Sequence, residues 1–244
     1  MYSSLGHTYR LIAGASDGAQ LFEREGVLAA VVPAAPERSV VNGATYARPA
    51  ALRDAYDELA AAYDEIGAHW TVWVHHGDDE SAALLGGRGH VLDAQPEAMA
   101  RALDDPPGRP QLENWTAEGS MRDVGILNDL AYGYGSDSFR HALSGISGAE
   151  VRVYVANAKG RPAACLMTVD DDSNTDIGWV AVEPDARGRG LSGKLLAHAL
   201  ADAAERGQRT STLVSTKLGR PVYERLGFRG LGRLQMWERR RPST

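Results

Sequence analysis

One stretch, residues 180–196, constrains the fold more than any other part of the sequence. It reads Val-Ala-Val-Glu-Pro-Asp-Ala-Arg-Gly-Arg-Gly-Leu-Ser-Gly-Lys-Leu-Leu, so a β-branched run leads into a turn at Gly188 and Gly190, and apolar residues then recur at helical spacing. The first N–H groups of a helix have no partner inside it and form its positive end. Because glycine adopts positive φ and has no Cβ, an anion can approach these groups closely. The stretch therefore predicts a strand, an anion-binding turn and a helix.

Two common phosphate-binding loops do not describe this turn. A P-loop requires Gly-Lys-Ser/Thr, whereas Lys194 is followed by Leu195. The glycines at 188, 190 and 193 have the spacing of a dinucleotide-binding loop, but the next predicted strand, residues 211–215, ends without the acidic residue that such folds use. A tight turn with surface arginines is the simpler alternative.

A second motif downstream makes the pattern specific. Residues 187–192, Arg-Gly-Arg-Gly-Leu-Ser, resemble the Arg/Gln-x-x-Gly-x-Gly/Ala loop of the GNAT superfamily of N-acetyltransferases, with Ser192 at a position that usually holds glycine or alanine. Residues 216–228, Thr-Lys-Leu-Gly-Arg-Pro-Val-Tyr-Glu-Arg-Leu-Gly-Phe, resemble the second signature of that superfamily, including Tyr223. The resemblance covers roughly residues 112–238.

The resemblance implies an acetyl-CoA-dependent N-acetyltransferase that moves an acetyl group from the thioester directly to an amine. Tyr223 is then the candidate general acid, because a phenol of pKa about 10 can protonate the thiolate of a thiol of pKa about 8.5; a core aromatic is the alternative. The strand would bind the pantetheine arm and the loop the diphosphate. The implied cofactor-binding residues are Val180, Ala181, Val182, Arg187, Gly188, Arg189, Gly190, Leu191, Ser192 and Gly193.

The general base is left open by the sequence. Asp176 begins the central strand and Glu183 ends it, and either could act through water or be a solvated turn carboxylate. Water chains alone could also carry the proton.

The acceptor site is expected where two helices of the second half are joined. Ser120 is predicted to cap a helix over residues 121–132, and Ser136 or Asp137 a second helix that ends near residue 143. Tyr132 and Tyr134 lie among glycines in the connecting loop and, with Asp137, are candidates for binding a small-molecule or peptide amine. A plain interhelix turn is the alternative.

Composition limits the class of protein. The chain has 43% hydrophobic and 24% charged residues, which is typical of globular domains. No apolar run reaches the ~18 residues of a membrane span, and no export signal is visible. Cys165, the single cysteine, lies in an apolar run and predicts a buried residue. His75 and His76 are adjacent and lack metal-ligand spacing. We therefore expect a cytoplasmic protein with no membrane segment and no metal, either a monomer or a homodimer.

The charge of the chain is divided unevenly. The formal net charge is −6, yet residues 185–244 carry 13 Lys and Arg against 5 Asp and Glu. A basic region around the turn suits a polyanionic ligand, and a solvated positive surface is the alternative. A nucleic-acid-binding module is disfavoured, because the arginines lack interleaved aromatic residues and no recognised binding motif is present. A non-catalytic acyl-CoA sensor would use the same loop without transfer, and Tyr223 argues against it.

The first half of the sequence repeats the order of elements in the second. Residues 26–32 and 39–46 predict strands, residues 49–66 a helix that begins at Pro49 and is capped by Gly67, and residues 70–75 a further strand. This order indicates an internal duplication; two unrelated α/β segments are the alternative. The first copy lacks the anion-binding turn, because residues 46–50 contain no glycine and Pro49 has no N–H.

Residues 103–110, with three prolines and a glycine, predict the linker between the copies. We therefore expect a degenerate GNAT-like domain at residues 1–108 and an acetyl-CoA-binding catalytic domain at residues 109–244. The resemblance and the duplication imply an α/β (α+β) fold of two tandem GNAT-like domains, each a mixed, mostly antiparallel central sheet flanked by helices.

Overall fold

The computed structural model describes residues 2–135 and 137–240. The helices are α1 (Tyr2–Ala15), α2 (Pro49–Ile66), α3 (Asp79–Gly87), α4 (Met121–Tyr132), α5 (Ser138–Leu143), α6 (Leu191–Glu205) and α7 (Arg220–Arg225). The strands are β1 (Gln20–Arg24), β2 (Val27–Val31), β3 (Gly43–Tyr46), β4 (Trp70–Val74), β5 (Val91–Ala94), β6 (Glu97–Ala102), β7 (Trp115–Thr116), β8 (Val151–Ala158), β9 (Arg161–Asp171), β10 (Asn174–Val182), β11 (Thr210–Ser215), β12 (Arg229–Arg233) and β13 (Gln235–Arg239).

The described chain divides into two compact units that do not follow sequence order. The first unit takes the described residues of 1–96, 141–146 and 232–244, and the second takes those of 97–140 and 147–231. Two strands therefore join the sheet that is formed mainly by the other half of the sequence. β6 pairs with β11 in the second unit, and β13 pairs with β4 and β5 in the first.

The first unit is built on a sheet with the strand order β1-β2-β3-β4-β13-β5. Its pairs are antiparallel except β3 and β4, which run parallel and are connected by α2. α2 begins at Pro49 and ends at Gly67, whose φ of 69° is left-handed, as the sequence predicts. Tyr63 of α2 stacks on Trp70 of β4 at 4.6 Å between ring centroids, and both side chains are fully buried. This stack anchors α2 on the sheet.

The second unit repeats this plan with the strand order β12-β6-β11-β10-β9-β8-β7. β10 and β11 run parallel and are connected by α6, whereas β6 with β11, β10 with β9, β9 with β8 and β8 with β7 are antiparallel. The predicted apolar stripe of α6, which includes Leu195 and Leu196, packs with Ile177 and Leu213 in one core. A fully buried leucine contributes roughly 1.5–3 kcal/mol, so this packing fixes α6 on the sheet. The predicted fold class is confirmed.

Two predictions in the first half need correction. β1 lies in a region for which no strand is predicted above, and the strand predicted over residues 39–46 is confined to Gly43–Tyr46. Residues 39–42 form turns, in which Val41 and Asn42 donate their N–H groups to Arg38 O at 3.1 and 3.2 Å, and the buried Asn42 side chain bonds the backbone of the segment before them. Its Oδ1 accepts from Val32 N–H at 2.7 Å and its Nδ2 donates to Ala35 O at 2.8 Å. No helix in the described ranges is long and apolar enough to cross a membrane.

Candidate active site

A break in β10 opens the centre of the second sheet. The parallel pairing of β10 with β11 stops at Ile177, and the register of β10 against β9 shifts between Gly178 and Ala181. Trp179 lies in this bulge with a φ of 53°, which is rare for a residue other than glycine. Beyond the bulge β10 continues as Val180 to Val182 without β11 beside it. This edge has the backbone groups that an extended amide-containing ligand could pair with.

Helix α4 holds the bulge from one face of the sheet. Its predicted cap at Ser120 is confirmed as a reciprocal capping box with Asp123. Farther along α4, the buried Asn128 donates from Nδ2 to Trp179 O at 3.3 Å and to Val124 O at 2.8 Å. These bonds tie the bulge backbone to the helix. α4 therefore fixes the position of Trp179.

The turn before α6 has the predicted anion-binding geometry. Gly188 and Gly190 have φ values of 76° and 72°, and a Cβ built on either would meet no atom within 4 Å. Lys194 N–H donates to Gly190 O at 3.0 Å as the first helical bond. Within the described ranges no acceptor takes the N–H groups of residues 191–193, and Gly190 provides no side-chain cap. These N–H groups and the open space fit a diphosphate.

Arg187 connects this turn to α4. Its Nη2 donates to Ala131 O in the last turn of α4 at 2.9 Å, and its Nε lies 3.4 Å from Val182 O at the end of β10. Among the described residues Arg189, by contrast, contacts only its own turn, with Nη2 3.4 Å from Asp185 O. The two arginines of the loop therefore have different surroundings.

Tyr223 lies on α7, which packs beside the first turn of α6. A Cβ built on Gly193 would be 3.6 Å from Val222, and the Tyr223 ring lies over Gly219. The residue is 7% exposed, and in the described chain its hydroxyl has no hydrogen-bond partner. Burial raises the pKa of Tyr223 well above its ordinary value, and nearby Tyr132 raises it further. The phenol thus stays protonated and is available as a donor.

A family comparison decides the class of this unit. Residues 149–230 match the model of the acetyltransferase (GNAT) domain. These residues, which lie within the second unit, form a GNAT acetyltransferase domain. Domains of this family take their acyl group from an acyl-CoA, so the match agrees with the sequence resemblance.

Solved structures resemble the whole chain and not only the GNAT domain. A GCN5-related N-acetyltransferase from Kribbella flavida is 16% identical with a TM-score of 0.67, and the match covers 100% of this chain and 96% of that one. A GCN5-related N-acetyltransferase from Sphaerobacter thermophilus is 20% identical with a TM-score of 0.62, covering 100% and 95%. A tandem GNAT protein from the clavulanic acid biosynthesis pathway is 16% identical with a TM-score of 0.58, covering 99% and 96%. At these identities the likeness establishes a shared fold. No curated protein sequence matches the chain.

The two carboxylates proposed as bases have different environments in the GNAT domain. Burial raises the pKa of Asp176 to about 7, while a 2.7 Å hydrogen bond from Thr212 Oγ1 to its Oδ1 opposes the rise. Thr212 is itself held by Asn174, whose Nδ2 donates to Oγ1 at 2.9 Å. Glu183 forms an ion pair with Arg161. A general base works best when its pKa lies near the operating pH. Asp176 meets this requirement at neutral pH better than Glu183, which is paired with a cation.

The loop predicted to bind the acceptor begins at the end of α4. Tyr132 and Tyr134 are 61% and 53% exposed, and the loop starts at Gly133 with a φ of 73°. Asp137 instead pairs with Arg140 at 2.5 Å. Ser136, the other predicted cap, lies outside the described residues.

Sequence reasoning missed two contributors to the GNAT domain site. Trp179 has a buried indole N–H with no partner among the described residues, and its ring meets Phe139 edge-on at 5.1 Å between centroids. Gly219 leaves room for the Tyr223 ring. No local pattern marks either residue, because a bulge and a ring contact depend on tertiary structure. Burial raises the pKa of Cys165 to about 12, which agrees with its predicted structural role. No metal-binding group of His, Cys, Asp or Glu is found in the described ranges.

Proposed function

We propose that the second unit transfers an acetyl group directly from acetyl-CoA to a primary amine, with Tyr223 as general acid. The observation that carries the proposal is the presence in one unit of three groups without partners among the described residues: the N–H groups of residues 191–193, the edge of β10 beyond its bulge, and the hydroxyl of Tyr223. They provide an anion site, an extended edge for the pantetheine amides and a proton donor.

The residues that would hold acetyl-CoA lie in two neighbouring segments. The amides of the α6 turn would bind the diphosphate, and charge-assisted hydrogen bonds of this kind contribute roughly 1.5–3 kcal/mol each. The edge of β10 would hold the pantetheine arm against the bulge. When bound, acetyl-CoA supplies an activated acyl group on sulfur. The proposed set is Val180, Ala181, Val182, Arg187, Gly188, Arg189, Gly190, Leu191, Ser192 and Gly193.

The transfer exchanges one bond for another. The nitrogen of the amine forms a bond to the acyl carbon as the carbon–sulfur bond breaks. Asp176 accepts, through water, the proton that the nitrogen loses, and Tyr223 donates a proton to the departing sulfur and recovers one from solvent. Because Glu183 is paired with Arg161, we favour Asp176 as the base. Holding the amine and the thioester together supplies several kcal/mol of the rate enhancement.

The acceptor enters, in this proposal, beside the exposed rings of Tyr132 and Tyr134, with Asp137 at the outer end of the loop. Two exposed tyrosines form an apolar rim with hydroxyl groups at its edge. Such a rim suits the amine of a small molecule or a peptide.

The first unit, the degenerate copy in this proposal, would not bind acetyl-CoA. At the start of α2, Pro49 has no N–H, and Ala51 N–H already donates to Arg48 O at 3.1 Å. The corresponding groups of α6 are free within the described chain. We therefore assign the catalytic role to the second unit and a structural role to the first.

Calorimetry and a thiol-release assay test the proposal. Acetyl-CoA and CoA should each bind with a stoichiometry of one per chain, and a panel of primary amines should contain at least one that releases free CoA. Tyr223→Phe should lower kcat by about 10²–10⁴-fold with little change in CoA affinity. Binding without release for every amine would favour the acyl-CoA sensor, and no uptake of CoA would refute the proposal.

A further inference from the structure

The guanidinium of Arg187 links two parts of the site that have separate tasks. One is the α6 turn proposed to hold the diphosphate, and the other is the end of α4. Nη2 donates to Ala131 O at 2.9 Å, and Nε lies 3.4 Å from Val182 O. Arginine presents its donors in a rigid planar fork, so one side chain can hold both carbonyls in a fixed relation.

The exposed side chains of Tyr132 and Tyr134, here called the acceptor rim, lie at the end of α4. Gly133 and Tyr134 both donate their N–H groups to Asp129 O, the latter at 2.9 Å. The backbone of the rim is therefore hydrogen-bonded to the last turn of α4. Arg187 binds the carbonyl of Ala131 in the same turn. A cation is also favoured there by the negative end of the helix dipole.

The segment that follows Arg187 leaves room for a ligand. Gly188 and Gly190 face open space and have left-handed backbone conformations. A diphosphate bound to the amides of this turn would hold its conformation, and Arg187 lies directly before Gly188 at the start of the turn. The side chain of Arg187 would then be fixed by the turn before α6 and by its hydrogen bond to the end of α4.

We infer that Arg187 is a positioning residue that couples the binding of acyl-CoA to the ordering of the acceptor rim, so that the amine binds better after acyl-CoA than before it. The inference rests on the proposed function. Arg189 provides the contrast, because its guanidinium reaches only Asp185 O within the same turn. Both arginines bring positive charge to the phosphate, and only Arg187 reaches α4.

Hydrogen exchange in the full chain tests the link without knowledge of the acceptor. The amides of Gly133 and Tyr134 report on the rim, and those of residues 188–193 report on the turn. Addition of CoA should slow exchange at both sets in the wild type, by about fivefold or more at the rim if the coupling is of ordinary size. Arg187→Met should abolish the protection at the rim, and Arg187→Lys, which keeps the charge but not the fork, should reduce it.

Arg189→Met is the matched control. It removes the same charge from the same turn, so it should weaken CoA binding as Arg187→Met does, yet leave the rim protection in place at saturating CoA. With an amine identified in the screen, only Arg187→Met should raise the KM of the amine at saturating acetyl-CoA.

Two results would overturn the inference and leave the proposed function standing. One is protection of the turn by CoA with none at the rim of the wild type, and the other is rim protection in Arg187→Met equal to that of the wild type. Absence of any protection at the turn, together with no heat of CoA binding, would instead refute the proposed function and this inference with it.

Discussion

Gly219→Ala tests whether the position of the Tyr223 ring matters for turnover. A Cβ built on Gly219 would be 2.8 Å from Cε2 and 3.3 Å from the hydroxyl oxygen of Tyr223. Gly219 has a φ of −77°, so alanine causes no backbone strain there. The substitution therefore acts on the ring and not on the chain.

The overlap between the added Cβ and the Tyr223 ring determines the size of the effect. Non-bonded carbon atoms prefer separations of about 3.5–4.0 Å, so the ring must move by roughly 1 Å. A displacement of about 1 Å in a reacting group can lower the rate about 10²-fold. Overpacking should also lower the free energy of unfolding by about 1–3 kcal/mol.

The assay is release of free thiol from acetyl-CoA with the best amine of the screen, alongside CoA affinity by calorimetry. Gly219→Ala should lower kcat by about 10²-fold with CoA affinity nearly unchanged. In a Tyr223→Phe background the same change should have little further effect, because both act through one hydroxyl. Wild-type kcat in Gly219→Ala, or equal fractional losses in both backgrounds, would contradict the reasoning.

Three further predictions follow from other parts of the structure. Gly190→Ala should weaken CoA binding measured by calorimetry. Gly207→Ala is the control, because Gly207 also has a positive φ with open space around it; it should lower the free energy of unfolding by a similar amount, about 1–2 kcal/mol, and leave CoA affinity unchanged. Equal CoA affinities of the two variants would refute the placement of the diphosphate. Burial raises the pKa of Asp176 to about 7, so kcat/KM should rise with pH through about 7. The free energy of unfolding should fall as pH rises from about 4 to 7, because in this range the folded state binds a proton that the unfolded state has lost. Asp176→Asn should abolish both trends in rate profiles and thermal unfolding, and a wild-type profile in that variant would exclude Asp176 as base. Ending the chain after Leu234 removes β13 from between β4 and β5, so thermal unfolding should lose the transition of the first unit, whereas a chain ending after Arg240 should keep it.

The sequence predicts the parts of the structure that depend on local pattern. Pro49 and Gly67 mark both ends of α2, and the glycines before α6 predict the turn at its start, where Gly190 provides no side-chain cap. These features depend on backbone conformations that few residue types adopt.

What the sequence does not predict depends on contacts distant along the chain. The placement of β6 and β13 depends on pairing with strands of the other half of the sequence. The choice between Asp176 and Glu183 depends on burial and on the ion pair with Arg161, neither of which a strand pattern encodes. The domain division at residue 108 and the roles of the site residues stay predictions until they are tested.

The position of β13 has a consequence for how the protein is made. The central part of the first sheet is completed only by residues 235–239, close to the carboxyl terminus. Domains usually fold as they leave the ribosome, amino-terminal one first. In this chain the amino-terminal unit must wait, with β4 and β5 unjoined, until the second unit and then residues 235–239 have been translated. A nascent chain stalled before residue 235 would thus expose two strand edges to aggregation and to chaperones.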